Sequence, residues 1–116
     1  MGDQLANSDA ENLSPAEEHA FNMAQAAVML DQSRGDLGKL AAALEHNLEL
    51  WVGVRTLISR PDSHTSPELR ENLTRLADYI AGTTMTHGVE ISPEALDTLI
   101  NINLQVSEGI LEGAGR

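Results

Sequence analysis

Asn47-Leu48-Glu49-Leu50-Trp51 lies at the centre of the most regular apolar pattern in this 116-residue chain. The pattern runs Leu37, Leu40, Leu44, Asn47, Trp51, Val54, Ile58, in alternating steps of three and four. Such steps keep every member on one face of an α-helix. Leu48, Leu50, Val52 and Leu57 add apolar positions beside the stripe, so the second half of the helix is apolar almost all round. A helix of that kind is central in its domain or covered by a partner. Trp51 is the only tryptophan, and Asn47 is the one polar member of the stripe.

Working outward, three Ser-Pro steps punctuate the chain at Ser14-Pro15, Ser66-Pro67 and Ser92-Pro93. A serine hydroxyl accepts from free amides at a helix start, and proline fits the first turn, where its missing N–H is not needed. Glu17 completes a capping box with Ser14, while Glu68 and Glu94 occupy favourable first-turn positions. The first helix is expected from about Pro15 to Ser33, with Ala16, Ala20, Met23, Ala27 and Leu30 inward, widened by Phe21, Ala24 and Val28. Gly35 closes it, and Asp36 caps a second helix reaching Ser59. A third begins at Ser66, with Leu69, Leu73, Leu76, Ala77 and Ile80 inward, and ends near His87-Gly88.

The fourth segment carries two patterns. Ile100, Ile102, Leu104 and Val106 alternate with Asn101, Asn103, Gln105 and Ser107, which reads as a strand. Leu96, Leu99, Asn103, Val106 and Ile110 keep a helical step behind a Ser-Pro-Glu start. The helix is preferred, because short apolar runs are ambiguous by period alone. The expected fold is therefore all-α: a small antiparallel bundle of about four helices, with a bundle containing one displaced helix as the alternative. Residues 1–13 are polar and acidic and read as a flexible tail before a single helical domain at 14–116.

Composition narrows the function. Hydrophobic residues are 41% of the chain and aromatics only 3%, which suits packed helices of Leu, Ile, Val, Ala and Met. Cysteine is absent, so disulfides and thiolate metal sites are excluded. The formal net charge is −11. Direct nucleic-acid binding and attraction to an anionic membrane are both disfavoured, since each relies on clustered basic residues. The N-terminus shows neither the basic residues nor the apolar run of a secretory signal, and a cytoplasmic location is expected.

No constellation supports catalysis. His19, His46, His64 and His87 form neither a His-Glu-x-x-His nor a Glu-x-x-His motif. Glu45, His46 and Glu49 have the spacing to meet a metal but read as a solvated helix face. There is no phosphate-cradling glycine loop and no Gly-x-Ser-x-Gly elbow, so neither an enzyme nor a cofactor is expected. Asn47 and Asn103 both interrupt apolar seams. Each is satisfied separately by backbone or water, or the two pair across helices and set register. Trp51 reads as core or as an interface anchor. Beyond it, the outward face of the second helix loses its charges at Val52, Gly53 and Thr56. Gly53 in mid-helix costs ~1 kcal/mol relative to alanine, which a close approach by the first helix or by a partner helix would offset. Trp51, Val52, Gly53 and Thr56 are thus the candidate partner-binding residues.

Four motifs in order resemble the FlaF family of bacterial flagellar biosynthesis regulators: Ser14-Pro15-Ala16-Glu17, Asn47-Leu48-Glu49-Leu50-Trp51, Ser66-Pro67-Glu68-Leu69-Arg70, and Leu99-Ile100-Asn101-Ile102-Asn103 followed by Glu108-Gly109. The likeness spans roughly Ser14 to Leu111. It implies a cytoplasmic protein that couples flagellin production to flagellum assembly, with flagellin and the companion regulator FlbT as partners. Flagellin's helix-forming terminal segments are the implied guests for a groove between helices. It carries over no catalytic or ligand-binding residues. A homodimerising helical module without a flagellar role is the alternative.

Overall fold

A computed structural model of the chain describes residues 14–61 and 65–114. The proposed tail, residues 1–13, lies outside the described residues. Four helices follow in order: α1 (Pro15–Gln32), α2 (Leu37–Ile58), α3 (Pro67–His87) and α4 (Pro93–Ala114), with a 3₁₀ turn at Gly88–Glu90 before α4. No strand occurs among the described residues.

Local chemistry sets each boundary. Ser14 Oγ accepts from the Glu17 amide at 3.1 Å, and Glu17 Oε1 accepts from the Ser14 amide at 3.2 Å, closing the capping box. Asp36 caps α2 through the Lys39 amide at 3.0 Å. Ser66 caps α3 through Leu69, and Ser92 caps α4 through Ala95. Each cap satisfies an amide that has no partner within the helix. Gly35 (φ 81°) and Gly88 (φ 51°) turn the chain at the ends of α1 and α3, in a region of backbone space that side chains disfavour.

The helices form an up-down-up-down bundle with unequal seams. α1 and α4 pack closely along their length, helped by the small residues Ala20, Ala26 and Ala27 on the buried face of α1. α2 packs on α1 and on α3, whereas α3 and α4 barely meet. The core joins Met23, Leu30, Leu44, Trp51, Ile80, Leu96 and Leu99. At one end Arg34 bridges Asp31 and Asp97, tying the α1–α2 turn to α4; at the other Arg55 of α2 meets Asp78 of α3. Hydrogen bonds to Asp31 and then Asp97 raise the Arg34 pKa above the ordinary guanidinium value. These pairs are exposed, so each contributes little to stability.

Three packing details differ from expectation. Phe21 and Val28 face solvent rather than widening the buried face of α1, because α4 covers only the Ala20–Met23–Ala27 side. Of the α3 stripe, Ala77 and Ile80 are buried, but Leu73 and Leu76 are only half-buried and Leu69 is 50% exposed. The cause is the open α3–α4 seam. α4 is helical throughout, and its buried positions Leu96, Leu99, Ile100, Asn103 and Ser107 keep helical spacing. Its alternating stretch arises because the helix carries apolar residues on two fronts: Leu96 and Leu99 enter the core, while Ile102, Val106 and Ile110 face the seam.

Candidate functional site

Two sites emerge from the sequence residues, one internal and one open. The internal one joins α1, α2 and α4. Trp51 is 1% exposed, and its Nε1 donates to Asn103 Oδ1 at 2.9 Å. Asn103 Nδ2 donates to Asn47 Oδ1 at 2.7 Å and to the Met23 carbonyl at 3.3 Å. Indole nitrogen can only donate, so the Asn103 atom beside it must be oxygen. That orientation places the Asn103 NH₂ toward Asn47, which must answer with its own oxygen. Asn47 Nδ2 is left buried without a partner. One turn further along α4, Ser107 Oγ donates to the Ala20 carbonyl at 2.8 Å. Asn103 and Ser107 thus reach two backbone carbonyls of α1, Met23 and Ala20, and fix the α1–α4 register. Of the two readings of Asn47 and Asn103, the structure contains the pair, with Trp51 as its third member.

Those bonds are structural. No group of three or more His, Asp or Glu side chains gathers to hold a metal among the described residues, and Glu45, His46 and Glu49 stay exposed on α2. The burial of Trp51 withdraws it from any surface contact. Its neighbours on the candidate face are open: Val52 is 55% exposed, and, its own stretch of helix aside, no described atom lies within 4 Å of where a Gly53 side chain would begin. Among the described residues, neither α1 nor any other element makes a close approach at Gly53. Thr56 Oγ1 donates to the Val52 carbonyl within the helix. Val52, Gly53 and Thr56 are not among the residues that line the principal hollows between the described helices.

A concave apolar surface lies on another face of α2, at the α3–α4 seam. Two adjoining hollows of about 240 and 320 Å³ run along it. Leu69, Leu73 and Leu76 of α3 form one wall, and Ile102, Val106 and Ile110 of α4 form the other. Val54, Leu57 and Ile58 of α2 close one end, together with Ala16 and His19 from the first turns of α1. The walls extend over eight residues of α3 and nine of α4, a rise of ~10–12 Å at 1.5 Å per residue, the length of two turns of a guest helix. Pattern reading placed these wall residues in the core; the excess of apolar positions on α4 was the available signal for a second front.

No helix among the described residues is long and apolar enough to cross a membrane. Comparison with curated proteins and with solved structures gave no match. The family model described as flagellar protein FlaF matches residues 4–110. The match begins at residue 4, so most of the acidic lead falls within the family's extent, beyond the Ser14–Leu111 likeness seen by motif. Matched over nearly its whole length, the chain belongs to the FlaF family of flagellar proteins.

Proposed function

We propose that this protein acts in the cytoplasm as an adaptor for flagellin, in the manner of a secretion chaperone. With an FlbT-like regulator it couples flagellin synthesis to flagellum assembly. The observation that carries the binding step is the unfilled apolar seam between α3 and α4, in a chain that belongs to a flagellar family. An amphipathic helix from a flagellin terminus lays its apolar face between Leu69-Leu73-Leu76 and Ile102-Val106-Ile110, using anchors at i, i+3, i+4 and i+7. Binding removes half-exposed leucine, isoleucine and valine from water, at about 25 cal/mol per Å² of apolar surface. It also shields an aggregation-prone segment of the guest until secretion. The net charge of −11 speaks against a direct grip on messenger RNA, so the effect on synthesis passes through the FlbT-like partner.

Flagellin co-purification tests this reading. Leu57 is 42% exposed and Leu69 is 50% exposed, so Leu57→Glu with Leu69→Glu puts charge into the groove with little loss of core. The double variant should fold and lose flagellin, while Gly53→Arg, outside the lining of the seam hollows, should retain it. Equal recovery by all three proteins would remove the groove from the mechanism. Recovery by none would remove flagellin as the partner.

A further inference from the structure

The two seam hollows are lined without a single Asp, Glu, Lys or Arg side chain, although the chain carries 18 acidic and 7 basic residues. Their polar lining consists of His19 and Thr65 in the hollow that α1 and α2 close, and Asn72 and Gln105 in the other. Of these, His19 alone changes its charge between about pH 5 and 8. Ala16, His19 and Met23 of α1 all reach the hollow, and their spacing of three and four keeps them on one helix face.

His19 is partly buried. Among the described residues it makes no ion pair and no side-chain hydrogen bond, and neither ring nitrogen is buried without a partner. Water therefore reaches both nitrogens. Around the ring, α2 presents Val54, Leu57 and Ile58, α3 presents Leu69 and Leu73, and α4 presents Val106 and Ile110; none of them titrates. One turn away on α1 stand Pro15, Ala16, Asn22 and Met23, also uncharged. The ionisable side chains next along the chain, Glu17, Glu18, Glu68, Arg70, Glu108 and Glu112, are absent from the lining, and Glu17 is held in the capping box of α1. A protonated His19 thus has water to stabilise it and no carboxylate within ion-pair distance among the described residues.

We propose that His19 is the proton-sensitive gate of this groove: neutral imidazole admits an apolar guest, and imidazolium excludes it. An apolar helix seated between the walls takes water from the ring and offers nothing in its place. Removing a charged ring from water costs far more than removing a neutral one. Guest binding therefore disfavours the protonated ring, and by reciprocity protonation disfavours the guest. Binding is full above the range in which imidazole titrates and weakens as pH falls through it. One coupled proton limits the loss to about tenfold per pH unit, and about tenfold is expected between about pH 7.5 and about pH 5.5. His46 and His87 are exposed and line neither seam hollow, so a guest leaves their water in place. The gate rests on the groove being the partner site, but it asks only that the guest be apolar.

The uncharged apolar dye Nile red, added to the full-length protein, reports groove occupancy without flagellin. Its affinity for the parent should fall about tenfold between about pH 7.5 and about pH 5.5. His19→Gln keeps a polar side chain that cannot be charged, so its affinities at the two pH values should agree. His46→Gln and His64→Gln should keep the full drop. Leu57→Glu with Leu69→Glu should bind no dye at either pH, which locates the dye in the groove. No binding by the parent, a parent affinity indifferent to pH, a His19→Gln protein that weakens as steeply, or dye retained by the double glutamate variant would each overturn the proposal. A histidine-free peptide spanning a flagellin terminal helix is titrated in parallel. Dye governed by His19 with no peptide bound at either pH would leave the gate standing and remove flagellin as the partner. Peptide bound equally well at both pH values would overturn the gate and leave the adaptor function standing.

Discussion

Replacing Asn103 and Asn47 one at a time by leucine should give sharply unequal losses of stability. Asn103 makes three hydrogen bonds: it accepts from Trp51 Nε1 and donates to Asn47 Oδ1 and to the Met23 carbonyl. Leucine fills a similar volume but strands the buried indole N–H and the Asn47 oxygen. Each stranded group costs ~1–3 kcal/mol, so Asn103→Leu should lose about 2–6 kcal/mol, a large share of the ~5–15 kcal/mol typical of a domain. Asn47→Leu removes one hydrogen bond, worth ~0.5–1.5 kcal/mol, but it also removes an amide nitrogen already buried without a partner. The Asn103 NH₂ still has the Met23 carbonyl. Asn47→Leu should therefore stay within about 1 kcal/mol of the parent or exceed it. In the double variant the stranded Asn47 amide is gone, so its loss should be smaller than the sum of the singles by ~0.5–3 kcal/mol. Urea unfolding followed by the fluorescence of Trp51, present in every variant, measures all four proteins. Equal losses for the two singles, a larger loss for Asn47→Leu, or strict additivity would refute the hydrogen-bond directions derived from the indole donor.

Two further outcomes follow from the same geometry. Trp51→Phe keeps most of the ring volume but strands Asn103 Oδ1, so it should cost ~1–3 kcal/mol beyond the lost area, read as a lower thermal midpoint. Gly53→Ala enters open space on a helix, so it should stabilise by up to ~1 kcal/mol; a lower urea midpoint would show that something covers that face in solution.

Legibility from sequence divides along a physical line. Helix ends are local events, so Ser14, Asp36, Ser66 and Ser92 could be read directly, and each caps the helix it precedes. The pairing of Asn47 with Asn103 was visible only as two polar interruptions in apolar seams. Its third member, the Trp51 indole, leaves no periodic trace, because a tryptophan in a stripe looks the same whether or not its N–H has a partner. The groove was the least legible feature. Periodicity shows which face of a helix is apolar but not whether a neighbour covers it. Leu69, Leu73, Ala77 and Ile80 belong to one stripe, yet the bundle buries only the last two. The second half of α2 was read as needing cover on account of Val52 and Gly53, but the uncovered hollow lies at Val54, Leu57 and Ile58 of the same helix. Less than half a turn of rotation, roughly 150° at 100° per residue, separates those sets, and only the placement of α3 chooses between them.

The most direct test of groove binding is chemical-shift mapping on the full-length protein during titration with a synthetic peptide spanning a flagellin terminal helix. Saturable shifts should gather at Leu69, Leu73, Leu76, Ile102, Val106 and Ile110, with Val52, Gly53 and Thr56 unmoved, and the affinity should change only modestly with salt because apolar contact dominates. Shifts centred on Val52, Gly53 and Thr56 instead, or no saturable shift at the walls of the α3–α4 seam, would contradict it.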